Sequence, residues 1–433
     1  MILISVFLFD CELKAGSPDV IQEWNAIAVD RTLAAPAPPP AAQTRLMAIY
    51  SAAVHDAVNG ITGRYQTYLP TDEAPAGASP EAAAIGASYR ALCGLFGSTY
   101  CSSIEPMFLL SLSNHGVSAD DPGIAYGFHA AEHVLESRMN DGASTATFAW
   151  NGPNEMPGTF RLNSGQSALL AGWGAVTPFV LRSASQFRPE PPPALESELY
   201  ARDLNEVKEV GGSTSACSDS NPPPCRTAQQ LDIALFWRDG SPVRVWNQPL
   251  QEFLAAGDFD ISSSARTNAL VFLAAADSSI ACWEAKYGND VSGGYNFWRP
   301  QAAIRRGDED ANFATVGDPT WSPVHTTPPH PEYPSGHTSN STAIATILQL
   351  TFGDRPGEPF TSSVTVNPTS PTPRVIVRSW NSFGEAADEV IDARVWSGIH
   401  FRNTDEVGSR LGRQVAQFVY THALRECKGN TCL

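Results

Sequence analysis

An all-α protein, one or more helical bundles with few or no strands, is what this chain of 433 residues predicts. Three observations carry that expectation. Long stretches put apolar residues on a single helical stripe, the signature of a helix packed on a core. Short segments rich in Pro, Gly, Asn and Ser separate them. Alternation of the kind a strand needs occurs in one short region only.

In chain order, Ser17-Pro18 opens the first predicted helix with a hydroxyl cap and a proline in the first turn, running through Trp24 to about Leu33. Ala35 to Pro40 reads as a Pro/Ala linker. From Arg45 to Ile61, residues Leu46, Ile49, Ala53, Ala57 and Ile61 share one face; His55-Asp56 inside this helix reads as structural. Helices are expected at 78–95, 99–115 and 118–140. In the last, His129 and His133 with Glu132 invert a zinc-protease pattern, but no third ligand follows at a suitable spacing, so zinc is not the reading. Residues 143–193 are irregular, a length that marks a functional loop or a covering flap. Helices resume at 196–210, 227–237 and 264–287, the last capped by serines. A short hairpin is expected between Thr361 and Val377, and the final helices at 379–398 and 404–426.

Composition excludes some partners. A net charge of -17 argues against nucleic acid and acidic membrane surfaces. No stretch approaches transmembrane length. The apolar stub Met1 to Leu8 lacks a basic segment, so 1–16 reads as a residual export signal. The eight cysteines fall mostly into close pairs, Cys93 with Cys101, Cys217 with Cys225 and Cys427 with Cys432, which read as local disulfides; Cys282, in an apolar helix, reads as a buried thiol. Disulfides imply an oxidising compartment, periplasmic or secreted.

The chemistry concentrates in the last third. In Pro328-Pro329-His330-Pro331-Glu332-Tyr333-Pro334-Ser335-Gly336-His337, proline forbids helix up to Pro334, and an apolar run beginning after Ser341 then predicts a buried helix ending near Gly353. Ser335, Gly336 and His337 therefore stand where a rigid loop feeds a helix N-terminus, and free amides with the positive end of the helix dipole suit a tetrahedral oxyanion. Upstream lie Trp283 and Lys286, then Tyr295-Asn296-Phe297-Trp298-Arg299-Pro300. Downstream, Arg394 is followed six residues later by His400.

Lys/Arg-Pro, then Pro-Ser-Gly-His, then Arg with a later His, resembles the three-part signature of the vanadium-dependent haloperoxidases, whose superfamily includes the type 2 phosphatidic acid phosphatases and bacterial acid phosphatases. The Arg45 to Ile61 helix, with His55-Asp56-Ala57-Val58-Asn59, also looks like that of bacterial members. The resemblance implies a helical bundle of the haloperoxidase/acid phosphatase type. It divides the chain into an N-terminal helical half, 17–260, a C-terminal catalytic helical bundle, 261–426, and a tail, 427–433. It implies vanadate, or phosphate as substrate or occupant, held by Lys286, Arg299, Ser335, Gly336 and Arg394. His400 would ligate vanadium or attack phosphorus, and His337 would serve as acid/base at the opposite apex. Trp283, His330 and Asp405 would support them. Hydrogen peroxide, halide and a small organic acceptor would be the partners, with a homodimer left open. His330, seven residues before His337, matches bromoperoxidase-like members, where chloroperoxidase-like ones carry Phe, and so favours bromide or iodide. A phosphomonoesterase working through a phosphohistidine is the alternative, and a non-catalytic anion-binding relative the second.

Three departures bear on geometry. The family's lysine position, seven before the Arg, holds Ser292; Lys286 lies thirteen before Arg299, with Gly288 to Gly293 reading as an inserted turn. Ala393 replaces the Ser that often precedes Arg394. The carboxylate that supports the second His usually lies four residues after it, where this chain has Thr404, leaving Asp405 one position further on.

Overall fold

The computed structural model describes residues 19–147, 149–150, 152, 155–218, 220–288, 293–366 and 373–427. Its helices are α1 (Val20–Leu33), α2 (Pro40–Thr62), α3 (Pro80–Phe96), α4 (Ser98–Asn114), α5 (Pro122–Ser137), α6 (Glu198–Val210), α7 (Ala228–Asp239), α8 (Pro242–Ala256), α9 (Ile261–Tyr287), α10 (Pro300–Arg305) and α11 (Gly336–Phe352). After a hairpin of β1 (Phe360–Val366) and β2 (Arg374–Trp380) come α12 (Phe383–Trp396) and α13 (Arg402–His422). The chain is all-α apart from that antiparallel hairpin, in which Phe360 pairs with Trp380 and Val366 with Arg374.

Local chemistry sets the helix starts. Pro40, Pro80, Pro122, Pro242 and Pro300 each stand at a first helical position, where a missing amide costs nothing. Asp19 caps α1 by accepting from the Ile21 amide at 2.8 Å, while the expected Ser17-Pro18 start lies outside the described residues. Asp260 caps α9, one turn earlier than the expected serines, its carboxylate accepting from the Ser263 amide at 2.8 Å. Helix α8 went unexpected: Pro249 inside it reads as a breaker, yet Val243, Val245, Trp246, Leu250 and Leu254 form its buried face.

The central element is α9, buried along nearly its whole length and packed against α2, α11 and α13. Around it α3 packs on α2 and α5, and α11 on α12. Small residues let these axes approach: a Cβ on Gly412 of α13 would come within 2.1 Å of the Ser339 carbonyl of α11.

The irregular stretch 143–193 is stitched down rather than loose. Asp277, in the middle of α9, accepts the amides of Phe179, Val180 and Leu181 at 2.6, 2.8 and 2.9 Å. The Leu169 amide donates to Pro329 at 2.8 Å, and the Phe160 amide to Asn296 at 2.8 Å. The segment thus runs along the two motifs that flank Lys286.

Cys93–Cys101 and Cys217–Cys225 are disulfides, with sulfurs 2.01 and 1.92 Å apart, and Cys282 is a buried thiol. Cys432, the other expected partner, lies outside the described residues, as does the N-terminal stub. No helix among the described residues is long and apolar enough to cross a membrane. His129 and His133 stand exposed on the outer face of α5.

Candidate functional site

Four helix ends deliver the site. The C-terminal end of α9 carries Trp283 and Lys286; Arg299 caps α10; Ser335 caps α11; and Arg394 sits in the last turn of α12. Between Arg394 and His400 the chain reverses at Gly398, whose φ of 75° a side chain would resist and whose Cβ position lies 2.2 Å from the Gly211 carbonyl. That turn brings the arginine and the histidine to one place.

Lys286 reaches the cluster because the inserted turn closes on itself. Gly288 pairs with Gly293, the Tyr295 amide donates to Ala285 at 2.8 Å, and the Asn296 amide donates to Lys286 at 3.0 Å. Asn296 is thereby set beside Lys286, three residues before Arg299. The fully buried ammonium donates to the carbonyls of Pro331 at 2.6 Å and Glu332 at 2.9 Å.

Arg299 spreads its fork across the other motifs. Its Nε donates to the His330 carbonyl at 2.8 Å and Nη1 to the Ile399 carbonyl at 2.9 Å. Nη1 also meets His400 Nε2 at 3.0 Å, and Nη2 meets the His330 ring at 2.9 Å. His330 in turn packs against the Trp283 ring, centroids 5.0 Å apart, and Trp283 Nε1 donates to the Leu169 carbonyl at 3.3 Å.

Ser335 occupies the cap position of α11 but its hydroxyl takes none of the helix amides, and it has no hydrogen-bond partner among the described residues. Arg394 donates through Nη1 to the Trp237 carbonyl at 3.3 Å, while its Nε is buried without a partner among the described residues. Such groups are costly to bury unpaired. At Gly336 a Cβ would lie 3.0 Å from the Trp283 ring, so glycine lets the helix start seat there. Of the expected site residues His337 alone is partly open to solvent; the others are buried.

The electrostatics follow from three cations packed in one dry place. Burial holds Lys286 down to about 7, with Arg299 adding to the fall. Burial brings Arg299 and Arg394 down to about 10. His330, His337 and His400 are held well below the usual histidine range by burial and by these same cations. An entering oxyanion relieves all of these penalties together.

One expectation is corrected. Asp405 does not support His400. Helix α13 turns it toward Ser335 and Arg394, where burial pushes its carboxyl well above the ordinary range against the pull of Ser335, and where it lacks a well-formed hydrogen bond to any described residue. The partner of His400 is Glu332, whose Oε1 accepts from Nδ1 at 2.9 Å. Glu332 is the residue that motif reading missed. A carboxylate between two prolines, next to the Pro-Ser-Gly-His run, was the available signal.

Comparisons with known proteins bear on the sequence and the fold. A family model described as the second helical-bundle domain of VCPO matches residues 266–429. The vanadium chloroperoxidase of Curvularia inaequalis is 25% identical over 287 residues, covering 53% of this chain and 45% of that protein, so the match spans less than half of that relative's length. The crystal structure titled the first bacterial vanadium-dependent iodoperoxidase superposes with a TM-score of 0.75 at 25% identity, covering 96% of this chain and 99% of that one. A holo-type bacterial vanadium-dependent chloroperoxidase shares the fold, with a TM-score of 0.70 at 16% identity, over 95% of this chain and 99% of that chain. With its catalytic-type motifs gathered in the matched segment and its fold shared nearly end to end, the chain is similar to the vanadium-dependent haloperoxidases.

Proposed function

We propose that the chain is a vanadate-dependent haloperoxidase, oxidising halide with hydrogen peroxide to hypohalous acid. The observation that carries this reading is a set of buried groups without well-formed hydrogen bonds among the described residues: the Ser335 hydroxyl and Arg394 Nε, with the Asp405 carboxyl next to both, beside the buried cations Lys286 and Arg299. The residues fit a tetrahedral oxyanion. Lys286, Arg299 and Arg394 would neutralise its charge, the two guanidiniums as planar forks. Ser335 and the Gly336 amide would donate to further oxygens at the helix start. His400 would hold the group through Nε2. When bound, vanadate supplies a high-valent Lewis acid that activates peroxide toward halide without a change of oxidation state.

His337, the member open to solvent, would then hold or deliver a proton at the mouth of the site. Its depressed basicity suits a neutral imidazole that accepts a proton from incoming peroxide. Trp283 and His330 wall the site on the side where Lys286 enters. Iodide or bromide is the proposed halide. His330 and the structural relative titled an iodoperoxidase support that preference. A small organic acceptor would receive the oxidised halogen. Secretion or periplasmic residence is proposed from the two disulfides. The same proposal divides the chain at about residue 260 into a supporting N-terminal half and a catalytic C-terminal bundle, with the family match over 266–429 in support.

The test uses purified protein with and without orthovanadate, following bromide and iodide oxidation by peroxide beside hydrolysis of a chromogenic phosphate ester. Orthovanadate-dependent halide oxidation is expected, and Arg394→Ala and His400→Ala should each lower it at least about tenfold, as the loss of a charge-assisted contact predicts. Phosphate-ester cleavage inhibited by orthovanadate, with no halide oxidation, would move the protein to the phosphatases.

A further inference from the structure

Glu332 is joined to all three motifs at once. Its amide donates to the Phe297 carbonyl at 2.9 Å, two residues from Arg299. Its carbonyl takes the Lys286 ammonium at 2.9 Å. Its carboxylate faces His400: Oε1 accepts from His400 Nδ1 at 2.9 Å and from the Phe401 amide at 2.9 Å, while Oε2 accepts from the Thr404 hydroxyl at 2.6 Å. The side chain is fully buried, so its partners are fixed by packing.

The tautomer of His400 follows from which groups can donate. A guanidinium has donors and no acceptor. The contact of Arg299 Nη1 with His400 Nε2 at 3.0 Å therefore needs a lone pair on Nε2. A neutral ring with its lone pair there carries its proton on Nδ1, which is the atom facing Glu332. Two contacts on opposite edges of the ring thus require the same tautomer, and both edges are held.

We propose that Glu332 is the positioning residue for His400, holding the ring as its Nδ1–H tautomer so that the Nε2 lone pair is presented to the oxyanion site. Thr404 occupies the place one helical turn after His400, and its hydroxyl serves Glu332 instead of the ring. The carboxylate has changed its position in the sequence while keeping its place against the imidazole. Because the backbone of Glu332 also meets Lys286 and the Phe297 carbonyl, a single residue links the ring's tautomer to the cationic wall. The inference rests on the reading above that His400 holds a bound oxyanion through Nε2.

The experiment is imidazole nitrogen-15 NMR of histidine-labelled protein without added oxyanion, paired with titration of orthovanadate into wild type and Glu332→Gln. His400→Gln assigns the His400 signals. Wild type should show a pyrrole-type Nδ1 and a pyridine-type Nε2 for His400. Glu332→Gln, which removes the charge and keeps the shape, should mix the tautomers and raise the orthovanadate dissociation constant by about tenfold or more, as lost support for a ligating histidine does. An Nε2–H tautomer in wild type, or orthovanadate affinity unchanged in Glu332→Gln, overturns the proposal. Assigned through His400→Gln, the wild-type spectrum tests the tautomer even if Glu332→Gln does not fold. Wild type that fails to bind orthovanadate counts against the haloperoxidase reading, whereas wild type that binds it with the wrong tautomer counts against Glu332 alone.

Discussion

Lys286→Met separates what the buried ammonium costs the fold from what it contributes to the site. The lysine is fully buried and its pKa falls from the ordinary 10.5 to about 7. At about 1.4 kcal/mol per decade, keeping it charged costs the folded chain about 5 kcal/mol below pH 7. Methionine removes that cost and fills the same volume, but strips the Pro331 and Glu332 carbonyls of their donor, at about 1–3 kcal/mol each. At pH 6 the two effects nearly cancel, and the variant should be about as stable as wild type. The sign then changes with pH. Between 7 and 10.5 the unfolded wild type holds a proton that the folded one has released, so wild type gains stability as pH rises and the variant does not. By pH 9 the balance should have moved against Lys286→Met by about 2.5 kcal/mol. Urea unfolding at both pH values, read by tryptophan fluorescence, measures the difference, and repeating it with 10 mM phosphate (about that concentration suffices for a weak site) should stabilise wild type alone. Parallel pH slopes for the two proteins, or equal stabilisation by phosphate, would refute the idea that a buried, titrating ammonium faces the anion.

Two further perturbations probe the scaffold. Asp277→Ala orphans three amides of the segment 179–181 and should cost about 3–5 kcal/mol, with limited proteolysis cutting first within 143–193; unchanged protease resistance would show that the stitch is idle. His55, fully buried and neutral, donates Nε2–H to the Gln66 carbonyl at 2.9 Å and has its pKa lowered by burial to about 4. The unfolded chain takes up its proton below about 6.5, so stability should fall by about 3 kcal/mol between pH 6.5 and 4, and His55→Gln should remove that part of the acid loss in denaturant titrations.

Much of the site was legible because its information is local. Pro-Ser-Gly-His, Arg-Pro and Arg with a later His each announce a loop feeding or leaving a helix, and proline and glycine fix such geometry over a few residues. Glu332 was not legible in the same way, since its partners His400 and Thr404 lie 68 and 72 positions away and only folding makes them neighbours. The stretch 143–193 resisted reading for the converse reason. It has no periodicity of its own, and its order is imposed by Asp277, a carboxylate that reads from the sequence as a mere interruption in an apolar helix. Helix α8 was hidden by Pro249, whose cost is met by the burial of Trp246 and Leu250 on either side.

The paired glycines at 288 and 293 turn a length change into a harmless one. Because the backbone is recaptured by Ala285 and Lys286 immediately afterwards, residues can be added at this point without altering the distance the lysine must span. The proper ruler for this motif is therefore the hydrogen-bonded ladder, in which Lys286 lies opposite Asn296 and three residues from Arg299. Counting along the chain puts ten residues more between them. The same pinch is a ready attachment point: a reporter peptide spliced between Gly288 and Gly293 would ride beside the anion cradle while leaving its cations where they are.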